Sequence, residues 1–341
     1  MKPAFLFSFV LCALCLVITV SVVKPRSEPL VEDLPIRLEN VTAAPPDVEF
    51  TPSVNQDELI TIRVQTDEGV VAMSLREYLP YVVAAEMPIY FEEEALKAQA
   101  VTARTYTLYR CGRGGAHPEA DVCTNPSHCS AMLSKEQLLE KWGEDYEKNF
   151  ALVVNAVDET DNMVVKYEGE LIDAVFHSTS SGKTESSVDV WGAEREYLVS
   201  VESPGEEEAP RYSGTVEFSP NEIKTLLNSQ IDGLDFSGEA KTWFSAPVRS
   251  EAGSVLNITV CGVSVKGSVI RTALGLNSSN FTVTYDGEKF TFTTLGYGHG
   301  VGMSQYGANA MASNGSSYTE ILCHYYCGAA VEKYNLEGEE I

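Results

Sequence analysis

The chain has 341 residues, with 24 Lys and Arg against 49 Asp and Glu and a formal net charge of −25. Its length allows two domains at roughly 150 residues each, and a hydrophobic fraction of 44% excludes a chain that is disordered throughout. A nucleic-acid partner needs a basic stripe that displaces counterions, and the sequence has none. An anionic substrate must therefore be held by local basic or neutral groups.

The N-terminal region predicts a membrane anchor. Residues 1–4 would be a cytoplasmic stub, and residues 5–23 are apolar and uncharged, long enough to cross a bilayer core of about 30 Å. A cleaved signal peptide is the alternative, but no small-x-small site precedes Lys24. Residues 24–51 are polar and rich in proline, which is typical of a stiff stalk. The sequence therefore favours a single-pass protein whose head lies outside the cytoplasm.

The head begins with a predicted strand pair at residues 58–64 and 69–75, where apolar and polar residues partly alternate. Residues 75–85 have helical spacing, interrupted by Pro80. The clearest helix spans residues 91–109, with three glutamates in its first turn, where the helix dipole favours them.

The rest of the head alternates between both kinds of element. Strands are predicted at residues 163–167 and 171–177, with strand-like runs up to residue 294. Helices are predicted at residues 134–141, 151–157 and 219–227, and from Ser304 onward. We therefore expect an α+β fold of mixed helices and antiparallel strands, whose core combines residues 52–205 and 291–341. Residues 206–290, which follow a glutamate-rich boundary, would form a smaller inserted module.

Six cysteines lie outside the apolar segment, and in an extracytoplasmic head any of them could form disulfides. His117, Cys123 and Cys129 are spaced six apart twice in a loop that contains prolines. Thiolate and imidazole are the ligands that zinc prefers, so this loop is also a candidate zinc site, with Cys111 and His128 as spare ligands. Cys323 and Cys327 would share one face of a helix.

Glu86 is the candidate catalytic carboxylate, because apolar residues and a proline surround it. Such a setting favours the neutral acid, which can then serve as a general acid near neutral pH. A surface glutamate at a helix end is the alternative. His177 and His299 lie beside serines and glycines, but the nucleophile elbow and the phosphate-loop spacing are both missing. The glycines around His299 indicate close approach of the backbone to a ligand.

Three blocks of sequence resemble a known family. They are A85-E-M-P with E94-ALKAQAVTARTY, F176-HSTSSGKTE with V190-WG and Y197-L, and G296-YGHGVGMSQYGA. Together they resemble the stage II sporulation protein D family of sporulation lytic transglycosylases, and their amidase-enhancer relatives, over about residues 55–335.

The resemblance implies a specific reaction. Family members cleave the bond between N-acetylmuramic acid and N-acetylglucosamine and leave a 1,6-anhydro end. Glu86 matches the catalytic glutamate, which acts first as acid and then as base, while the sugar's own 6-hydroxyl replaces the second carboxylate of ordinary glycosidases. The substrate would lie in a long cleft between core and module.

The resemblance also implies the other site residues. Arg104 matches a family arginine that would hold substrate, and cleft positions are expected for His177, Tyr197, His299 and Gln305. The chain departs from the family at Val199, where relatives often carry a basic residue. Some relatives hold a structural zinc with one His and two Cys, which His117, Cys123 and Cys129 fit; no organic cofactor is expected.

The family setting implies the partners and the location. The head would face the forespore from the mother-cell membrane during engulfment. It would act on glycan stripped of peptide by a partner amidase, alongside other membrane engulfment proteins. Two alternatives remain open: a non-catalytic glycan-binding activator of the amidase, and a serine or zinc hydrolase.

Overall fold

The structure, a computed structural model, describes residues 54–335. The stub, transmembrane segment and stalk predicted for residues 1–51 lie outside the described residues. Within the described range, no helix is both long and apolar enough to cross a membrane.

Serine caps set the start of several helices, although not of the two longest, which begin at Glu93 and Tyr146. The helices are α1 (Leu75–Glu86), α2 (Glu93–Cys111), α3 (Lys135–Trp142), α4 (Tyr146–Glu159), α5 (Ser187–Trp191), α6 (Pro220–Asn228), α7 (Gly267–Leu274), α8 (Gln305–Ser313) and α9 (Tyr318–Tyr325). Ser74, Ser134, Ser219 and Ser317 each form a capping box with a Glu or Gln three residues later. The box satisfies backbone N–H groups that the first turn leaves free, so these starts are encoded locally.

The strands form small sheets, and nearly all of their pairings are antiparallel. They are β1 (Thr61–Thr66), β2 (Gly69–Ser74), β3 (Val122–Cys123), β4 (Met163–Tyr167), β5 (Glu170–Leu171), β6 (Phe176–His177), β7 (Ser213–Phe218), β8 (Val248–Arg249), β9 (Val255–Val260), β10 (Val263–Lys266), β11 (Phe281–Tyr285), β12 (Phe290–Leu295), β13 (Met303–Ser304) and β14 (Ala330–Lys333). Only β1–β3 and β6–β13 pair in parallel among the strands of the described residues. The predicted α+β class is confirmed.

Helix α2 runs through the middle of the described head. Nearly every residue from Ala95 to Tyr109 is buried, as expected of a helix that is covered on all sides. It packs against α1, α4, α8, α9 and β4. Small residues such as Ala98 and Ala103, both fully buried, let these neighbours approach closely. The helix therefore fixes the elements that carry the three sequence blocks.

Three buried clusters form the core. One surrounds α1, and a second joins α2 to residues 163–175 and to the C-terminal helices. The third is drawn from residues 223–292 and is rich in phenylalanine. The second cluster contains residues that precede the third cluster in the chain and residues that follow it. This arrangement is consistent with an inserted module. The boundaries of the module at residues 206 and 290 stay a prediction.

Some local predictions are wrong at the level of detail. Helix α1 continues through Pro80 rather than being interrupted there, because Leu79, Val82 and Val83 are fully buried around it. Their burial outweighs the roughly 3 kcal/mol that an internal proline costs. The strand predicted for residues 171–177 is two short pieces, β5 and β6. Cys327 lies beyond the end of α9, so it does not share a helical face with Cys323.

Arg104 does not contact the space where substrate was expected. Its side chain is fully buried, and Nη2 lies 2.7 Å from the Asp57 carboxylate, which is also fully buried. Its remaining N–H groups donate to the backbone carbonyls of Val157 and Met163. With every side of the guanidinium occupied by protein, Arg104 stabilises the fold around α2 instead of holding substrate.

We therefore expect Arg104→Ala to lower the free energy of unfolding by about 3–5 kcal/mol, because Asp57 would be left as a buried charge without a partner. Chemical denaturation measures the change. The control is Lys241→Ala, which removes an exposed pair with Glu239 and should change stability by less than about 1 kcal/mol. A fully stable Arg104→Ala protein would contradict the structural role.

Candidate active site

Glu86 is the last residue of α1. The helix ends here because Pro88 restricts Met87 to an extended conformation, observed at φ −105° and ψ 138°. The Glu86 side chain turns toward residues 127–131, and its Oε1 accepts a hydrogen bond of 2.6 Å from the Ala131 backbone N–H. The carboxyl group is thus held by backbone on one side while it faces a cavity on the other.

Burial raises the pKa of Glu86, although the Ala131 N–H and the Gln305 side chain partly offset the rise. No cationic side chain contributes to this balance. Loss of hydration penalises the charged form, so the environment favours a carboxyl group that still holds its proton at a higher pH than an exposed glutamate. This is the property required of a general acid.

The cavity in front of Glu86 has a volume of about 400 Å³. Its walls come from the first sequence block, the loop at residues 126–130, the second block, helix α7 and the third block. The residues that line it are Glu86, Tyr106, Arg110, Pro126, Ser127, His128, Cys129, Ser130, Val175, Phe176, His177, Ser178, Arg271, Tyr297, Gly298, His299 and Gln305. Within the described chain, Glu86 is the one carboxyl group in these walls.

The parallel pair β6–β13 brings the second and third blocks together. It aligns Phe176 with Met303 and His177 with Ser304. A further bridge joins Thr179 to Tyr297. Residues more than 100 positions apart in sequence thereby form one wall of the cavity.

Glycines make this approach possible. Gly298 and Gly300 have φ of 118° and 82°, and a Cβ on them would lie 2.9 Å from His177 Cβ and from Glu185 Cγ respectively. A Cβ on Gly302 would collide with the Val175 carbonyl oxygen. These glycines therefore admit a neighbouring chain segment. Gly298 also lines the cavity, and the close approach of its backbone to a ligand stays a prediction.

Both histidines of this wall are neutral at physiological pH. Burial and the neighbouring His299 lower the pKa of His177 to about 3. Burial and the charge of Arg271 lower the pKa of His299 to about 4. His177 Nδ1 donates to the Val301 carbonyl at 3.1 Å, and its buried Nε2 has no partner among the described residues. Neither ring can supply a proton as imidazolium near pH 7.

A serine hydrolase has no support in this geometry. A nucleophilic serine needs a hydrogen bond to its base, but the Ser178 hydroxyl is 3.2 Å from Thr179 Oγ1 instead.

The remaining sequence candidates separate into two groups. Gln305 is nearly buried beside Glu86 and donates to its backbone carbonyl at 3.1 Å, so it fixes the end of α1. Tyr197 is not among the residues lining the cavity; its hydroxyl accepts from the Asp173 backbone N–H at 3.0 Å. Val199 is 40% exposed.

The proposed metal ligands lie together next to the cavity. The donor atoms of His117, Cys123, His128 and Cys129 are all within 4.8 Å of one another. His128 Nδ1 is 3.7 Å from Cys123 Sγ and 3.4 Å from Cys129 Sγ, close to the ~3.5 Å nitrogen–sulfur separation of a tetrahedral zinc site. His117 Nε2 is buried without a partner among the described residues. The donor set fits zinc and includes His128 as a fourth ligand.

Two arginines of the cavity were missed by the sequence reasoning. Arg110 lies in the last turn of α2, with its guanidinium 4.9 Å from the centre of the Tyr106 ring and 3.8 Å from Asp173. Arg271 lies in the last turn of α7. Arg110 shares a helix with Arg104 but lies on another face, which 3.6 residues per turn implied. Nothing in the local sequence signals Arg271.

Comparison with known proteins gives a consistent picture. A family model described as "Stage II sporulation protein" matches residues 65–167. The stage II sporulation protein D of Bacillus amyloliquefaciens is 39% identical over 270 residues, which is 79% of this chain and 77% of that protein. That of Bacillus subtilis strain 168 is 37% identical over 269 residues, covering 78% and 77%. An amidase enhancer of Bacillus subtilis strain 168 is 31% identical over 304 residues, covering 74% of this chain and 40% of that protein.

Replacing Glu86 by Gln should stabilise the fold at neutral pH. The amide keeps an oxygen to accept from Ala131 and removes the cost of burying a charge. The pKa of Glu86 in the folded protein lies above the ordinary value of 4.5, so the folded wild type holds this proton more tightly than the unfolded chain. The wild type therefore loses stability as the pH rises from the ordinary pKa through the raised one. Thermal melts should show Glu86→Gln above wild type at pH 7 and level with it below about pH 4. A lower melting temperature at pH 7 would contradict burial of an unpaired carboxylate.

Proposed function

We propose that this chain, which belongs to the stage II sporulation protein D family, is a lytic transglycosylase that cuts peptidoglycan glycan strands between N-acetylmuramic acid and N-acetylglucosamine. The family assigns it to sporulation. The reaction is the one that the family resemblance implies, and the chemistry of the cavity supports it.

The observation that carries the proposal is a single carboxyl group of raised pKa. Glycosidases need two carboxyl groups, about 6.5–9.5 Å apart where water attacks directly and about 5–5.5 Å apart where a covalent intermediate forms. In the described residues Glu86 has no carboxyl partner in the cavity. A single carboxyl group fits a reaction in which the substrate itself provides the nucleophile.

Glu86 serves in both halves of that reaction. Its proton moves to the glycosidic oxygen of N-acetylglucosamine as the bond from that oxygen to C1 breaks. The resulting carboxylate then accepts the proton of the muramic acid 6-hydroxyl while that oxygen bonds to C1. Atoms balance without water, and the products are a new 4-hydroxyl end and a 1,6-anhydro end. Because the hydroxyl belongs to the same sugar, proximity replaces a second catalytic group.

The cavity also provides groups that hold the sugars. His177 Nε2 is a buried acceptor without a partner in the described chain, so it can accept from a sugar hydroxyl or an acetamide N–H. Trp191 is 43% exposed and its ring centre lies 5.5 Å from that of His299. An exposed indole beside a histidine that lines the cavity provides a flat apolar surface for a sugar ring.

We also propose that His117, Cys123, His128 and Cys129 bind zinc. Four protein ligands leave no open coordination position, which is typical of a structural site and disfavours a zinc hydrolase. Bound zinc would fix residues 117–129. The Ala131 N–H that contacts Glu86 lies two residues beyond Cys129, so the metal would help to orient the carboxyl group.

The cellular setting follows from the family and from the sequence. Sporulation proteins of this kind suggest a role at the cell envelope. We propose a single-pass anchor at residues 5–23, with the head outside the mother-cell membrane and facing the forespore. Its partners would be the glycan strands, a wall amidase that strips peptides, and membrane engulfment proteins.

A second function is favoured by one observation. The relative from Bacillus subtilis at 31% identity is named an amidase enhancer. A non-catalytic protein could use the same cavity to hold glycan and so promote a partner amidase. Such a role requires the cavity but not the proton transfer by Glu86.

Product analysis separates the two functions. Wild-type protein incubated with amidase-treated peptidoglycan should release fragments with 1,6-anhydro ends that contain no ¹⁸O when the digestion is run in H₂¹⁸O. Glu86→Gln should lower the rate by at least about 10²-fold, because one group provides both proton transfers. Glu77→Gln, on the exposed first turn of the same helix, is the matched control and should keep full activity. Wild type without anhydro products, but with stimulation of an added amidase, would establish the activator role instead.

Metal analysis tests the zinc proposal. Protein purified without chelator should contain about one zinc per chain, and Cys123→Ser should lose most of it and melt at a lower temperature. Cys261→Ser, in the third cluster far from these ligands in the chain, should keep its metal. Wild-type protein that neither contains zinc nor binds added zinc would contradict the site.

A further inference from the structure

Arg271 differs from Arg63, Arg76 and Arg104, and among the arginines without an acidic partner in the described head (Arg113, Arg211, Arg249 and Arg271) it lines the cavity of Glu86. Arg63, Arg76 and Arg104 each lie within 3.0 Å of an aspartate. The Arg271 guanidinium makes a single hydrogen bond in the described chain, 3.4 Å from Nε to the Leu276 carbonyl. In a protein with 49 acidic residues, a guanidinium with no acidic partner among the described residues requires a physical reason.

Partial burial of the charged Arg271 side chain costs free energy, because it removes water from the guanidinium. The residue is only partly exposed, and burial lowers the pKa of its guanidinium, which nevertheless stays charged in proteins. A charge withdrawn from water is normally compensated by a partner. Its described electrostatic neighbours are the Tyr297 hydroxyl and the rings of His177 and His299, and none of them is a carboxylate.

The packing of helix α7 places the backbone of Arg271 beside the cavity. Helix α7 buries Ile270 and Leu274 in the third cluster. At its start Gly267 packs against β9 so closely that a Cβ would collide with the Val255 carbonyl oxygen. Arg271 emerges from the other side of this helix and lines the same cavity as Glu86 and His299. The Nη1 and Nη2 donors of its guanidinium have no hydrogen-bond partner in the described chain, and this two-pronged group matches a planar carboxylate.

We propose that Arg271 binds the free carboxylate of the substrate, and so makes the enzyme select glycan whose muramic acid lactyl groups carry no peptide. This inference rests on the proposed glycan substrate. A stem peptide converts the lactyl carboxylate into a neutral amide, which removes the charge that Arg271 pairs with and adds bulk at that point. The preference for stripped glycan would then be a property of helix α7 in the inserted module, separate from the chemistry of Glu86.

Binding measurements test this without cleavage. Peptide-free glycan is prepared in two forms, one with free lactyl carboxylates and one with the carboxylates converted to methylamides. In Glu86→Gln protein the free-acid glycan should bind at least about tenfold more tightly than the methylamide glycan. Adding Arg271→Gln should remove this difference, because it should weaken the binding of the free-acid glycan alone. The neutral glycan tests for misfolding, because a disrupted cavity would weaken both forms.

Lys266→Gln is the matched control. It removes one positive charge from the exposed residue before the same helix and should keep the tenfold preference. Arg271→Lys should retain only part of it, because an ammonium group lacks the two-pronged donor geometry. A preference that persists in Arg271→Gln, equal binding of both glycans by the parent, or binding of neither would each overturn the proposal.

Cleavage assays distinguish this proposal from the proposed function. If the acid glycan binds with an Arg271-dependent preference but wild type yields no anhydro ends, carboxylate recognition stands and the transglycosylase reaction fails. If wild type cuts acid and methylamide glycans equally well, the reaction stands and the role of Arg271 fails.

Discussion

The close packing of two backbone segments supports the rest of the site. Residues 298–302 lie so near residues 175–185 that a Cβ at Gly298, Gly300 or Gly302 would collide with the neighbouring chain. This contact allows the parallel pairing of β6 with β13, which in turn places His177, His299 and Gln305 around Glu86. Glycine is required here because of the space available as well as the positive φ angles. Motifs distant in sequence become one cavity through this single constraint.

Burial controls the electrostatics of that cavity. It favours the protonated form of Glu86, keeps both histidines neutral and leaves the positive charge of Arg271 without a described acidic partner. Apart from Glu86, the acidic residues of the described chain lie outside the walls of this cavity. A strongly acidic protein can thus present a site suited to an anionic sugar, because local geometry and not net charge determines what a cavity attracts.

The proposed metal site and the proposed catalytic group share one segment of chain. Residues 126–130 line the cavity, include two of the four clustered ligands and lead directly to Ala131, whose N–H contacts Glu86. Fixing this loop therefore fixes one side of the carboxyl group. Metal ligation beside a catalytic residue can in this way affect reactivity through position alone.

The sequence by itself determined the features that depend on neighbouring residues. Capping serines started several helices, alternation placed β1 and β2, and Pro88 ended α1. The three blocks indicated the family and made Glu86 the candidate acid. Tertiary structure decided what depends on distant partners. Pro80 stays helical because its neighbours are buried, Arg104 is enclosed because Asp57 meets it from another element, and His128 joins three other ligands by loop folding. Arg271 faces Glu86's cavity only because α7 packs there. Short-range sequence patterns indicate local structure and the chemical type of a side chain. Its role depends on contacts with residues far away in the chain, which those patterns do not reveal.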